Sequence, residues 1–277
     1  MNYQIGLIGY PIKHSLSPWI HQQFLQQENL QGDYSIIEIH PESNFDEEMK
    51  KLREKRLHGF NITVPYKEKI LNYLDEIDEQ AEQIGAVNTV LCKNGKWIGY
   101  NTDGVGYIRS LLQQFPQLEN QKNKNILLLG AGGAAKGIYY ALIKHGFEHI
   151  TIANRSIDKA EKLIENRTNS KAISLQQAEK SLNDFDVLIQ TTSVGMKPDT
   201  ERMIIDLTNL KNGAIVSDIV YQPLLTKFLK TARSLNANIH FGHTMLLYQA
   251  QYAFEIWTGI RPEMGRLDNE LQKILEG

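Results

Sequence analysis

The chain has 277 residues, 42% of them apolar, with a formal charge of −2 and a single cysteine. That length calls for two domains, and the near-neutral balance gives no field suited to nucleic acid or an anionic membrane. One cysteine, Cys92, rules out an internal disulfide. It fits a reducing, cytoplasmic setting and sits in an apolar run, as a packed residue rather than a nucleophile.

The first residues carry no basic leader and no long apolar core, so no signal peptide is expected. No apolar run approaches the ~20 residues of a membrane span. A first strand is predicted over 4–9. The stretch Tyr10-Pro11-Ile12-Lys13-His14-Ser15-Leu16-Ser17-Pro18 then leads into a helix carrying Ile20, Phe24 and Leu25. Ser17 is expected as its N-cap and Pro18 as its first helical residue. A strand follows over 34–39 and a charged amphipathic helix over 45–54. The segment Gly59-Phe60-Asn61-Ile62-Thr63-Val64-Pro65-Tyr66-Lys67 reads as a strand stopped by proline, with Lys67 in the first turn of a new helix. A cation is disfavoured there, and such local conflicts mark places where function is worth suspecting.

An acidic helical segment is expected over 75–82. A hairpin follows (86–91 and 97–100), turning at Asn94-Gly95, the strongest short hairpin signal. Asn101-Thr102-Asp103-Gly104 opens a helix whose apolar face is Val105, Ile108, Leu111, Leu112 and Phe115. Asp103 suits a helix start electrostatically whatever else it does, so a plain cap and a functional carboxylate both stay open.

Ile126 to Leu129 run straight into Gly130-Ala131-Gly132-Gly133-Ala134-Ala135, a buried parallel strand, a glycine turn and a helix start. Gly130 permits the turn, Gly132 lets a pyrophosphate approach the backbone, and Ala135 keeps helix and strand close. Free N–H groups at the helix start favour phosphate. The helix runs to His145, with Gly146 as its stop. The next strand, 150–153, ends in Asn154-Arg155-Ser156, where a dinucleotide-binding unit places its ribose-reading residue. A carboxylate there would read the 2′-hydroxyl of NAD. Arg155 suits a 2′-phosphate instead, so NADP(H) is the expected cofactor, with Lys159 nearby to share the charge. Strands over 171–174, 187–190, 214–217 and 238–241 complete an open parallel sheet, with a loop from Thr191 to Pro198 on its cofactor edge. A last helix from Gly242 buries Leu246, Ala250, Ala253, Phe254 and Trp257, leaving Gln249 off the stripe.

Eight segments in order resemble the shikimate dehydrogenase family. They are 9–18 with Ser15-Leu16-Ser17, Asn61 to Lys67, Gly85-Ala86-Val87-Asn88-Thr89, and Asn101-Thr102-Asp103. The others are Gly130 to Ala135, Asn154-Arg155-Ser156, Tyr221-x-Pro223 and Gly242-x-x-Met245-Leu246-x-x-Gln249. The resemblance implies an α/β protein of two domains. A substrate domain over 1–103 is completed by C-terminal helices over 243–277, and a Rossmann-like NADP domain over 104–242 is inserted between them. It implies reversible hydride transfer between NADP(H) and shikimate, giving 3-dehydroshikimate. Ser15, Ser17, Thr63, Lys67, Asn88, Asp103, Tyr221 and Gln249 are implied to hold the substrate, with Lys67 and Asp103 as the catalytic pair. Gly130, Ala131, Gly132, Gly133, Ala134, Asn154, Arg155, Ser156, Lys159, Ile219 and Gly242 are implied to hold the cofactor.

Two positions depart from the pattern: Tyr66, where histidine is common, and Gln190, where asparagine is common. No close His/Cys cluster suggests a metal, so proton exchange falls to side chains. A small-molecule substrate is the expected partner, with the chain a monomer or a homodimer. Two other readings stay open: a quinate/shikimate dehydrogenase using NAD, and an NADPH-binding sensor without turnover. Arg155 speaks against the first, and the retained pair of Lys67 and Asp103 speaks against the second.

Overall fold

The computed structural model describes residues 2–165 and 169–276, so the outermost residues of the expected domains, 1 and 277, lie outside it. The chain divides into two compact units: Met1–Gly106 with Leu247–Leu267, and Tyr107–Leu246 with Asp268–Gly277.

In unit 1 the strands are β1 (Asn2–Gly9), β2 (Gln31–Glu38), β3 (Gly59–Ile62), β4 (Glu76–Ile77), β5 (Thr89–Lys93) and β6 (Lys96–Tyr100). They form one sheet in the order β2-β1-β3-β5-β6-β4. β1 pairs in parallel with β2 and β3, whereas β5 runs antiparallel to β3 and β6. The hairpin of β5 and β6 turns at Asn94 (φ 53°) and Gly95 (φ 78°), the left-handed pair that an Asn-Gly turn supplies. Helices α1 (Ser17–Gln27), α2 (Phe45–Glu54) and α3 (Glu79–Ile84) belong to this unit.

Three local expectations are corrected here. Ser17 is the first residue of α1 and Leu16 occupies the N-cap, with no side-chain cap bond. The acidic 75–82 segment is not one helix: Asp75 accepts from Trp97 N (2.8 Å) and bonds Arg53 (3.1 Å), which holds β4 extended before α3 begins. Lys67 starts no helix, since the next helical residues are a 3₁₀ turn from Lys69 to Tyr73. Its carbonyl accepts from Val87 N (2.8 Å) instead, so it is lost to an α-helical ladder and tied to the segment before Asn88.

Unit 2 contains β7 (Asn125–Leu129), β8 (His149–Asn154), β9 (Ser170–Ser174), β10 (Val187–Gln190), β11 (Ile215–Asp218) and β12 (Asn238–His240). All pair in parallel, in the order β12-β11-β10-β7-β8-β9. The chain moves outward from β7 through β8 and β9, then returns to the other side at β10. The switch point therefore lies between β7 and β10, where open α/β sheets bind ligands. Ile126 and Leu128 pack into a core with Ile138 and Leu142, while Leu127 and Leu129 join Leu188, Val216 and Phe228 in another. Burial on both faces explains the unbroken apolar run, each side chain contributing about 1.5–3 kcal/mol. Flanking helices are α4 (Asp103–Gln114), which belongs to unit 1 up to Gly106 and to unit 2 from Tyr107, and α5 (Gly133–Lys144), α6 (Ile157–Ile164), α7 (Leu175–Lys180) and α8 (Lys227–Ser234).

The C-terminal helices α9 (Gly242–Thr258) and α10 (Leu267–Glu276) do not return together to the substrate domain as expected. The later part of α9 belongs to unit 1 because Trp257 is anchored there. Its Nε1 donates to Val90 O (2.9 Å), and a Cβ on Gly59 would fall 2.2 Å from that atom. α10 belongs to unit 2 from Asp268, whose carboxylate meets His243 Nε2 at 2.7 Å. None of the described helices is long and apolar enough to cross a membrane. Burial pushes the Cys92 thiol up to about 12, which keeps it un-ionised at neutral pH.

Each unit buries a neutral histidine. His21 is fully buried and stacks on Tyr34 (centroids 4.5 Å apart, 7° between planes); burial pushes its pKa down to about 3, with nearby Asn61 pulling the other way. His240, held by Ser217 Oγ at 2.8 Å, is pushed down to about 4 by burial first and by His243 second. Between these values and the ordinary 6.5, the unfolded chain binds a proton that the fold does not. Stability is therefore present above pH 6.5 and is lost as pH falls, by about 1.4 kcal/mol per pH unit for each ring. His21→Phe preserves the stack and should remove one such contribution, about 2 kcal/mol between pH 6.5 and pH 5. Denaturant unfolding of both proteins at several pH values checks this; parallel stability curves would exclude His21.

Candidate active site

The turn that follows β3 aims Lys67 at the start of α4. Its Nζ lies 2.5 Å from Asp103 Oδ2, and the side chains are 29% and 13% exposed, so the pair is sheltered yet reachable. The other oxygen, Asp103 Oδ1, accepts from Asn88 Nδ2 at 2.8 Å. Both carboxylate oxygens are thus engaged away from the helix start, and the plain cap reading of Asp103 gives way to a fixed lysine–carboxylate pair.

Asn88 is the hub of this arrangement. It is buried just before β5, its Oδ1 accepts from Thr102 N (2.8 Å), and its Nδ2 also donates to Thr102 Oγ1 (2.9 Å). Thr102 Oγ1 reaches Gln249 Oε1 at 3.5 Å, bringing α9 to the cluster. The approach is close because α4 has glycine at 106, where a Cβ would fall 2.4 Å from Gln249 N. Beneath it, Asn61 Nδ2 donates to Asn88 O (3.1 Å) and Thr89 Oγ1 (3.0 Å), while Asn61 Oδ1 accepts from Tyr34 (2.7 Å). A satisfied buried network of this kind fixes side-chain positions; a gap in it would cost about 1–3 kcal/mol.

Sequence reasoning passed over Asn61, Thr102 and Tyr34 as site residues. The available signal was an asparagine inside the buried strand Gly59-Phe60-Asn61-Ile62, which needs polar partners. Ser15 and Ser17 stand together at the entry to α1, Ser17 N donating to Ser15 Oγ at 3.3 Å. Thr63 follows β3 and packs on Gly9, where a Cβ would lie 2.4 Å from its methyl carbon. Tyr66 is buried, stacks on Phe45 (4.6 Å) and donates to Ile39 O (2.8 Å), so its departure from the family pattern is a packing feature.

The remaining candidates lie in unit 2. Gly130 has φ 114°, and a Cβ there would sit 2.7 Å from Thr191 Oγ1. Gly132 caps α5 without any side chain, and a Cβ on Gly132 or on Gly133 would meet nothing within 4 Å. Open space therefore faces the uncapped helix start between Gly132 and Ala134, as a pyrophosphate requires. At the end of β8, Asn154 Nδ2 donates to Ser156 O (2.9 Å), and Arg155 and Lys159 are exposed. Among the described residues neither cation is engaged in an ion pair, which leaves both available to a phosphate. These features fit a 2′-phosphorylated dinucleotide. Ile219 N donates to Gln190 O (3.1 Å), and a Cβ on Gly242 would fall 2.5 Å from Ile219 O. Tyr221 lies on the loop after β11, and burial raises its pKa. Among the described residues no group of three or more His, Cys, Asp or Glu side chains could hold a metal ion.

Comparison with known proteins agrees with this geometry. Residues 7–90 match the shikimate dehydrogenase substrate binding domain, 111–220 the shikimate/quinate 5-dehydrogenase family, and 242–263 the shikimate 5′-dehydrogenase C-terminal domain. A shikimate dehydrogenase (NADP(+)) of Oceanobacillus iheyensis is 51% identical over 277 residues, covering 100% of both chains. The solved shikimate 5-dehydrogenase of Thermus thermophilus, in complex with NADP(H) and shikimate, is 30% identical with a TM-score of 0.87, covering 98% of this chain and 99% of that one. Quinate dehydrogenase of Corynebacterium glutamicum, in complex with NAD, is 29% identical with a TM-score of 0.89, over 98% and 99% of the chains. By family match and full-length identity, the chain belongs to the shikimate dehydrogenase family.

Proposed function

We propose that the protein catalyses the reversible, NADPH-dependent reduction of 3-dehydroshikimate to shikimate. The observation that carries the reading is the Lys67–Asp103 pair, 2.5 Å apart and fixed by Asn88. Nicotinamide, when bound, supplies or accepts the hydride. The ketone oxygen must then gain a proton as its carbon gains hydride, and Lys67 Nζ is the donor this reading assigns to that oxygen. Asp103 balances the ammonium charge and fixes its direction, while Asn88 holds Asp103 against rotation. In the oxidative direction the same nitrogen takes the hydroxyl proton.

Ser15, Ser17, Thr63, Asn88 and Gln249 offer hydroxyl and amide groups suited to a small carboxylate bearing several hydroxyls, and the Tyr221 hydroxyl is a further group of the same kind. The helix start at Gly132–Ala134 suits the pyrophosphate, and Arg155 with Lys159 suits the 2′-phosphate. Asn154, Ser156, Ile219 and Gly242 complete the cofactor set. The test is direct: purified protein should oxidise NADPH when 3-dehydroshikimate is added, and no oxidation overturns the reading.

Because the proton donor in this mechanism is a side chain, activity should be metal-independent. Dialysis against a strong chelator should leave kcat unchanged. Loss of activity that zinc restores would show that a metal, not Lys67, polarises the oxygen.

A further inference from the structure

Gln190 and Asp218 end the neighbouring strands β10 and β11 and are 1% and 0% exposed. Gln190 Nε2 donates both to Asp218 Oδ1 (3.1 Å) and to Val194 O (3.1 Å), and its Oε1 accepts from Thr192 N. One side chain thus clamps the loop 191–196 at two points. Asp218 does the same for the next loop: Oδ1 accepts from Val220 N (2.9 Å) and Oδ2 from Thr226 Oγ1 (2.7 Å). The loop is also fixed to the glycine turn, since Thr191 Oγ1 donates to Leu129 O (2.7 Å) and its oxygen fills the space a side chain at 130 would need. On the far side, Gly242 packs directly on the backbone of Asp218 and Ile219.

Four segments therefore meet at this pair: the glycine turn, the loop after β10, the loop after β11 and the start of α9. They lie at the switch point between β7 and β10, the crevice in which a dinucleotide is expected. Packing alone does not call for a carboxylate here. Burial pushes the Asp218 carboxyl up to about 7, an energetic cost that an apolar residue would avoid.

We infer that Gln190 and Asp218 are positioning residues for the nicotinamide end of the cofactor, setting the loops 191–196 and 219–221 against which the ring is oriented for hydride transfer. The inference rests on the NADPH-dependent reading above. Arg155, which serves the adenosine end, follows β8 and is separated from β10 and β11 by β7.

Gln190→Leu keeps the bulk and removes every polar contact; Gln190→Asn keeps the amide but shortens it by one methylene. Four quantities are measured for each: kcat with NADPH, the primary isotope effect with NADPH deuterated at the transferred position, affinity for adenosine 2′,5′-bisphosphate, and the unfolding midpoint. Misplacing reacting groups by about 1 Å can cost on the order of 10²-fold. Gln190→Leu should therefore lower kcat by about 10-fold or more and raise the isotope effect as hydride transfer becomes limiting, with unchanged affinity for the bisphosphate. Gln190→Asn should shift the same quantities less. Should the leucine variant not fold, the asparagine variant decides on the same readings.

Wild-type kcat and isotope effect in the variants overturn the inference. So does a parallel loss of bisphosphate affinity and of unfolding midpoint, which marks a purely structural role. Failure of the proposed activity itself is seen separately, as no turnover by the wild-type protein. In that case the ratio of NADPH to bisphosphate affinity still reports on the pair: the inference expects it to fall in Gln190→Leu, and an unchanged ratio refutes it.

Discussion

Replacing Lys67 by alanine should lower kcat by about 10²–10⁴, the range typical of one acid–base group. Affinity for NADPH should hardly change, because every residue proposed to hold the cofactor belongs to unit 2 while Lys67 belongs to unit 1. The loss should appear in kcat more than in KM, since proton donation matters at the transition state. Lys67→Arg separates two roles of the lysine. Guanidinium keeps the charge and several donors but does not give up a proton at accessible pH. A variant as inactive as Lys67→Ala points to proton transfer; substantial retained turnover points to a fixed donor that steadies the developing negative oxygen. Wild-type turnover by the alanine variant would remove Lys67 from the mechanism altogether. In that variant Asp103 loses its cation but keeps Asn88 as a donor, so the fold should tolerate the change.

Most of the architecture was legible because burial imposes simple patterns. The run Ile126-Leu127-Leu128-Leu129 could only be a strand covered on both faces, and its alternate residues do enter two cores. Asn94-Gly95 fixed the hairpin through backbone conformation alone. Glycines at 130 and 132 likewise marked a turn and an uncapped helix start. Lys67 was singled out for a local conflict that does not exist, since no helix begins there. The residue was still the one to notice, because the constraint on it is long-range: Val87 N takes its carbonyl and Asp103 its ammonium. Contacts between residues 36 positions apart leave no mark in local spacing.

The same limit hid Asn61 and Thr102, whose polar groups matter only once Asn88 lies between them. It also hid the division of the C-terminal helices. The apolar stripe of α9 reads as one surface, yet Trp257 is held by Val90 in unit 1 while His243 is tied to Asp268 in unit 2. The proposal for Arg155, by contrast, needs position alone, because the end of the second strand of such a unit is where the ribose-reading residue is expected wherever the rest of the chain goes.

Arg155 should therefore control the choice of cofactor. It is exposed at the end of β8, has no ion-pair partner among the described residues, and has Lys159 one helical turn further on, also exposed. A charged hydrogen bond contributes about 1.5–3 kcal/mol. Since about 1.4 kcal/mol is tenfold in affinity, Arg155→Ala should weaken NADPH binding by roughly 10–100-fold. Lys159 can retain part of the phosphate's binding, in which case the single change gives the lower figure and the double change with Lys159→Ala the higher. NADH lacks the 2′-phosphate, so its binding should barely move. Arg155→Asp should go further, because a carboxylate repels the phosphate and offers the free 2′-hydroxyl of NADH an acceptor. The measurement is kcat/KM for both cofactors in wild type and the three variants. Equal weakening of NADPH and NADH in Arg155→Ala would mean that the arginine supports the local fold rather than the phosphate. A wild-type preference for NADH would transfer cofactor choice to residues other than this pair of cations. With neither outcome, Arg155 is the residue that tells the two dinucleotides apart, and its exposed guanidinium at the strand end is the physical reason.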